Sequence, residues 1–281
     1  MFTGPYDGMM RLDSLIPWER TKRAYGAQQR VKDQMIIESA LLKQYESIRF
    51  GMSTRKGGVS PEPLGMNLSY RVHDDPANVT ENRRLLFAWL GMRLDNAAIP
   101  VQCHSDHIEV VSGPGQYENS DALITNTPHV SLVVNIADCM AVVLFDPVHR
   151  VLATVHAGWR GTAASIVAKA VVSLRERFGV STSDVVAFLS PSAGPCCYEV
   201  GPEVARVFSS VYVQDRAGRL YLDLKKANTD QLLAGGARES NIEVSPQCTI
   251  CNPRLYHSYR RDGERSGRMM AVACLMDGEG V

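Results

Sequence analysis

Two short apolar segments, residues 141–145 and 151–155, bracket the turn sequence Asp146-Pro147-Val148-His149 and constrain the fold more than any other feature of the chain. Both are strand-length and rich in β-branched residues, so they read as the buried strands of one antiparallel hairpin. With Pro147 and Val148 at the tip, Asp146 faces His149. The same register sets Cys139 directly opposite His156, with Cβ atoms roughly 4.5–5.5 Å apart. That separation suits one metal ion held by both side chains, given Zn–S near ~2.3 Å and Zn–N near ~2.0–2.1 Å. It equally suits a thiolate–imidazole pair of the nucleophilic kind. A slip of one residue would put the two on opposite faces. Beyond His156, the sequence Ala157-Gly158-Trp159-Arg160-Gly161 turns into a helix N-terminus. Free N–H groups there, with Arg160 beside them, suit a phosphate or carboxylate.

Residues 130–137, 185–189 and 269–275 also read as buried strands, and 107–112 alternates like a strand. Helical spacing predicts helices over 76–94, 162–178 and 223–233, with Thr162 as an N-cap and Gly179 as a C-terminal glycine. Strands and helices mix without a strict βαβ rhythm, so the expected fold class is α/β (α+β), a layered mixed-sheet fold. Residues 1–35 are polar and weakly periodic. They read as a partly ordered N-terminal extension, with 36–281 forming one catalytic domain.

The chain has 30 Lys+Arg against 30 Asp+Glu, a net charge of zero, so neither nucleic acid nor an anionic membrane is called for as partner. No apolar run approaches the ~20 residues of a spanning helix, and the N-terminus lacks a signal-peptide core. A cytoplasmic protein, monomer or homodimer, is the expectation. Seven cysteines, an odd and scattered set, make a poor disulfide framework. In a reducing compartment they are core residues, ligands or nucleophiles.

Either His104 or His107 could complete a metal site with Cys139 and His156. His73, His129, His149 and His257 have no partner motif and read as surface or turn residues. Arg55, on the loop Ser53-Thr54-Arg55-Lys56-Gly57-Gly58, could grip a phosphate bidentately, although by the residues alone a solvated loop charge is the preferred reading. Asp138 could orient a ligand histidine, although alternation on a strand turns it away from the face of Cys139. Cys196-Cys197 reads as packing in a turn along the site wall, because adjacent side chains do not easily chelate one ion. Cys248-Thr249-Ile250-Cys251 is a C-x-x-C without a second copy, and also reads as packing, with a labile thiol pair as the alternative.

The strings His156-Ala157-Gly158-Trp159-Arg160-Gly161 and Gly194-Pro195-Cys196-Cys197-Tyr198-Glu199-Val200-Gly201 are highly specific. With Ala137-Asp138-Cys139, Asn67-Leu68, the loop at Arg55 and Tyr259-Arg260-Arg261-Asp262-Gly263, they resemble the YfiH/laccase-domain family from about residue 36 onward. The resemblance implies a fold similar to YfiH and to the cytotoxic necrotising factors. It implies one zinc ion on His104, Cys139 and His156, with Cys103 and Ser105 departing from the family pattern around His104. The implied activity is phosphorolysis of purine nucleosides (adenosine, inosine, guanosine, methylthioadenosine), with adenosine deamination also attributed to members. Arg55 is then a catalytic as well as a substrate-binding candidate, with Asn67, Arg160 and Arg261 as further substrate contacts. Purine nucleoside and phosphate are the implied partners. Three protein ligands leave a fourth position open, the pattern of a catalytic zinc. A metal-free cysteine hydrolase using Cys139 and His156 is the competing reading. The older family label, copper polyphenol oxidase or laccase, fits less well: laccase chemistry needs several coppers and many histidines, and this chain has seven, with no His-x-His pair.

Overall fold

The computed structural model describes residues 35–277. The expected N-terminal extension therefore lies, apart from Met35, outside the described residues. Two six-stranded mixed sheets stack face to face. The first runs Ile36–Ile37, Ile48–Ser53, Met269–Leu275, Ser131–Ile136, Ala97–Pro100, Gly115–Tyr117. The second runs Ile242–Val244, Val186–Leu189, Met140–Asp146, Val151–Ala157, Ala122–Thr125, Ile108–Val110. Both have antiparallel centres and parallel pairs near their ends.

The central hairpin shows why these strands read as continuous apolar runs. Along Met140–Asp146, Val143 and Phe145 pack against Leu132, Ala273 and Leu275 of the opposite sheet. Val142 and Leu144 face the other way, onto Ile166, Val167, Ala170 and Leu174. A strand buried on both faces has no polar side to show. Helix Ile166–Phe178, with Leu224–Ala234, covers the outer face of the second sheet, and Pro76–Trp89 covers that of the first. The order is helix, sheet, sheet, helix. Among the described residues no helix is long and apolar enough to cross a membrane.

Local sequence explains the helix ends. Asp75 caps Pro76–Trp89 through the Ala77 N–H, with Pro76 in the first turn, where its missing donor costs nothing. Asp223 caps Leu224–Ala234 through the Lys226 N–H. Gly179 ends Ile166–Phe178 in the left-handed conformation, as expected. The helix expected over 162–178 is in fact two, Trp159–Ala163 and Ile166–Phe178, broken where Ser165 adopts φ 62°. Thr162 is no N-cap. It sits inside the first helix, hydrogen-bonded to Asn228 of the neighbouring helix.

The hairpin register also differs from the expectation. Asp146 pairs with Val151, and Met140 with Ala157, because the connection is the four-residue loop 147–150. The Asp146 carboxylate accepts from the Val148 and His149 N–H groups and from His149 Nδ1, and Arg150 takes the left-handed position that closes the loop. The displacement is two residues. An even displacement preserves the face, so His156, opposite Ala141, still projects on the side toward Cys139.

Candidate active site and its metal-ligand group

Cys139 lies just before its strand, in the bend 137–139, at the end of the sandwich. The Asp138 backbone has φ 81°, and that left-handed residue turns the chain so that the thiol enters the space between the sheets. His156 reaches the same point from the last turn of its strand and is 3% exposed. His104 arrives from the loop after Ala97–Pro100. The donor atoms of His104, Cys139 and His156 all lie within 4.8 Å of one another, and the two imidazole rings meet edge to face at 4.9 Å.

Asp121 holds this group together, and the sequence reading passed over it. Fully buried at the mouth of Ala122–Thr125, it accepts from His156 Nδ1 at 2.7 Å. That bond leaves Nε2 of His156 free for the centre of the group. The same carboxylate accepts the backbone N–H groups of Cys103, His104 and Ser105, and the Ser105 hydroxyl. These contacts hold His104 at φ 62°, a strained position for a non-glycine residue. Burial alone would raise the Asp121 pKa, but the His156 and Ser105 hydrogen bonds outweigh it and keep the carboxyl ionised far below its ordinary range.

Burial likewise opposes ionisation of Cys139 and His156, yet each charge outweighs it for the other. The Cys139 thiol is lowered by His156 and His104, and the His156 imidazole is raised by Cys139 and Asp121. The surroundings are built for a thiolate. Gly158 completes the fit: a Cβ there would sit 2.9 Å from Cys139 Sγ and 3.4 Å from His104 Cδ2.

The group lies in the wall of a cavity of about 650 Å³. Arg71, Arg83, Arg160, Arg260 and Arg268 line it, with Tyr70, Trp159, Tyr198 and Tyr259. Four of these arginines lie over cavity aromatics: Arg83 over Tyr70 at 4.5 Å, Arg160 over Trp159 at 4.3 Å, Arg260 over Tyr198 at 5.2 Å and Arg268 over Tyr259 at 5.3 Å. Asn135 and Gln102 also line it, the Gln102 amide being paired with the Asn135 backbone and the buried Asn135 Oδ1 having no protein partner.

The expected substrate contacts divide. Arg160 lines the cavity. Arg55 does not: its guanidinium donates to the carbonyls of Pro253 and Pro63 and to Glu62. Arg261 is tied to the carbonyls of Thr249, Ile250 and Tyr256, and its neighbour Arg260 faces the cavity instead. Asn67 is fully buried and fixes the Ser69 and Arg268 backbones, so it acts one residue behind the wall. Asp138 orients no ligand; it receives Thr249, Ser258 and the Arg260 N–H. His107 is exposed beside Glu109, which leaves His104 as the histidine of the group. Arg268 was not singled out from the sequence. The Cys196-Cys197 pair does not line the cavity as expected; Tyr198 does.

The sequence profile described as "Multi-copper polyphenol oxidoreductase laccase" matches residues 49–276. The chain belongs to this family. It is 38% identical over 239 residues to a purine nucleoside phosphorylase of Deinococcus radiodurans, covering 83% of this chain and 92% of that one. It is 34% identical over 240 residues to the purine nucleoside phosphorylase YlmD of Geobacillus stearothermophilus, covering 79% and 88%. The crystal structure of that organism's YlmD superposes with a TM-score of 0.81 at 31% identity, covering 86% of this chain and 97% of that one. A further relative from an unknown prokaryotic organism, 36% identical over 77% of this chain and 90% of its own length, is named adenosine deaminase RL5.

Proposed function

We propose that this chain is a zinc-dependent purine nucleoside phosphorylase acting on adenosine, inosine, guanosine or methylthioadenosine. The observation that carries the reading is a two-imidazole, one-thiolate group opening onto a cavity walled by five arginines. Names of the relatives point the same way. Zinc fits the donor set: His/His/Cys is a mixed catalytic combination, and the Asp121–His156 bond is the carboxylate–histidine arrangement that accompanies it. His104, Cys139 and His156 would hold the ion. Bound there, zinc supplies Lewis-acid polarisation.

The chain's own residues do the rest. Arg160, Arg260 and Arg268 supply guanidinium donors for phosphate, the anion such groups bind best. Tyr198, Tyr259 and Trp159 offer flat faces to a purine. The cavity volume suits a nucleoside with phosphate. Adenosine deamination at the same site is a second activity, motivated by the relative of that name.

A metal-free cysteine hydrolase would need one base beside Cys139. Two imidazoles converge on the thiol, which favours metal binding. Copper oxidase chemistry needs further histidine clusters. Among the described residues the only other candidate metal-ligand group consists of cysteines alone.

The test is direct. Zinc-loaded protein with inosine or adenosine and phosphate should release free base and ribose 1-phosphate. Equal product from a Cys139→Ala control would overturn the proposal.

A further inference from the structure

A second convergence of cysteines lies outside the cavity. Cys196 and Cys197 sit in the turn 195–197, and Cys248 and Cys251 in a loop about fifty residues later. Read separately, each pair looked like packing. In the folded chain all four sulfurs lie within 4.8 Å of one another.

The turn explains how adjacent cysteines share a point. Cys197 and Tyr198 N–H groups both donate to the Gly194 carbonyl, so the backbone is coiled there, not extended. Successive side chains on a coiled turn diverge far less than on a strand. Cys251 Sγ consequently lies 3.4 Å from Cys196 Sγ and 2.9 Å from Cys197 Sγ. One sulfur approached by two others describes a shared centre better than a bonded pair. A tetrahedral ion with Zn–S near ~2.3 Å places its sulfurs about 3.8 Å apart, longer than these two contacts and inside the 4.8 Å limit of the group.

The surroundings of the Cys248 sulfur also suit a thiolate. The Gly194 N–H donates to the Cys248 sulfur at 3.3 Å. The Lys225 ammonium, fixed by the Ser245 and Gln247 carbonyls, lies close enough to Cys248 and Cys196 to offset negative charge. Gly194 keeps the approach open: a Cβ there would meet Cys248 Cβ at 3.3 Å and Cys196 Sγ at 3.4 Å.

We propose that Cys196, Cys197, Cys248 and Cys251 form a second metal site, a closed four-thiolate site for Zn2+ with a structural role. Four protein ligands and no open position define a structural zinc. The ion would clamp the 194–198 turn to the 248–251 loop. Both carry parts of the cavity wall, since Tyr198 lines it and Thr249 anchors the Asp138 carboxylate beside Cys139. This site does not depend on which reaction the cavity performs.

Cys139→Ala protein, purified in reductant without chelator, isolates the second site. It should retain one zinc per chain after gel filtration, released only as a mercurial reagent titrates four thiols. Its cobalt-substituted form should show sulfur-to-cobalt charge-transfer absorption of four-thiolate intensity, which two residual histidines cannot produce. Adding Cys197→Ser and Cys251→Ser should abolish both signals. The cobalt measurement keeps the test valid if the triple variant misfolds. Cys139→Ala protein without zinc after reconstitution, or cobalt absorption matching two thiolates or fewer, would overturn the proposal. So would a disulfide to Cys251 in protein purified under reducing conditions.

Discussion

The two cysteine-bearing centres are built on opposite principles. His156 projects from a buried strand, Cys139 from the bend before one and His104 from a loop, and one buried carboxylate, Asp121, fixes both histidines. The four-cysteine group stands on two loops, with Cys196 and Cys251 exposed. The first has a rigid frame around an open face. The second joins two loops, tied to their surroundings by Thr249 and Arg261 and to each other by whatever joins the sulfurs. A preorganised site tolerates the absence of an ion, whereas loops of this kind take their order from one.

Removing a ligand from each centre tests that contrast most strongly. Cys139→Ala should lower kcat/KM for inosine phosphorolysis by on the order of 10³-fold, with little change in melting temperature. Cys248→Ser should do the reverse, with a large loss of thermal stability and a smaller loss of activity at low temperature. Calorimetry beside steady-state kinetics reads both, and equal effects on both quantities would erase the distinction.

A subtler probe leaves the ligands in place. Asp121→Asn keeps the size but removes the charge that fixes His156 and the His104 loop. Zinc affinity or activity should drop roughly 10–100-fold, measured by competition with a chelating dye. An unchanged affinity would mean that the strands alone position the histidines. Gly158→Ala attacks the same frame sterically, since its Cβ would crowd Cys139 Sγ at 2.9 Å. The metal should be lost with it, at about 1–3 kcal/mol in stability.

Smaller effects are expected at the cavity wall. Arg268→Ala should raise KM for phosphate by roughly 10–100-fold, the worth of a charge-assisted hydrogen bond of about 1.5–3 kcal/mol. Arg55→Ala should leave that KM unchanged, because its guanidinium is spent on the Pro253 and Pro63 carbonyls. An equal rise from Arg55→Ala would restore it as a phosphate ligand.

A separate effect, on stability alone, concerns a buried histidine. His257 is 1% exposed, and its Nε2 has no partner. Burial, with the charge of Arg55 added, pushes its pKa down to about 3. The unfolded chain takes up this proton near pH 6.5 and the folded chain only near pH 3. Stability should therefore fall as pH drops through that window, by up to about 1.4 kcal/mol per unit, and be indifferent to this group above pH 6.5. Urea unfolding of His257→Gln should show a shallower slope between pH 6.5 and 4. An unchanged slope would assign the acid sensitivity to other groups.

The sequence by itself determined the strands and the face that carries the chemistry. Residues 141–145 and 151–155 are apolar except for Thr154 because both faces are covered, a pattern that survives any error in the turn. Face assignment survived as well, since the loop 147–150 displaced the register by an even number. The paired Arg260 and Arg261 were the less fortunate case: only the helical turn at Tyr259–Asp262 decides which one faces the cavity. Asp121 was hidden for a related reason. A lone acid before a short apolar strand carries no local signature, and its meaning comes from Ala122–Thr125 pairing with Val151–Ala157. The cysteine pairs were legible as residues but not as a group, because no periodicity links position 197 to 251. Sequence patterns record which side of an element is buried. Which distant elements then meet is decided by strand pairing within each sheet and by the packing of the two sheets, and both cysteine groups of this protein are made at such meetings.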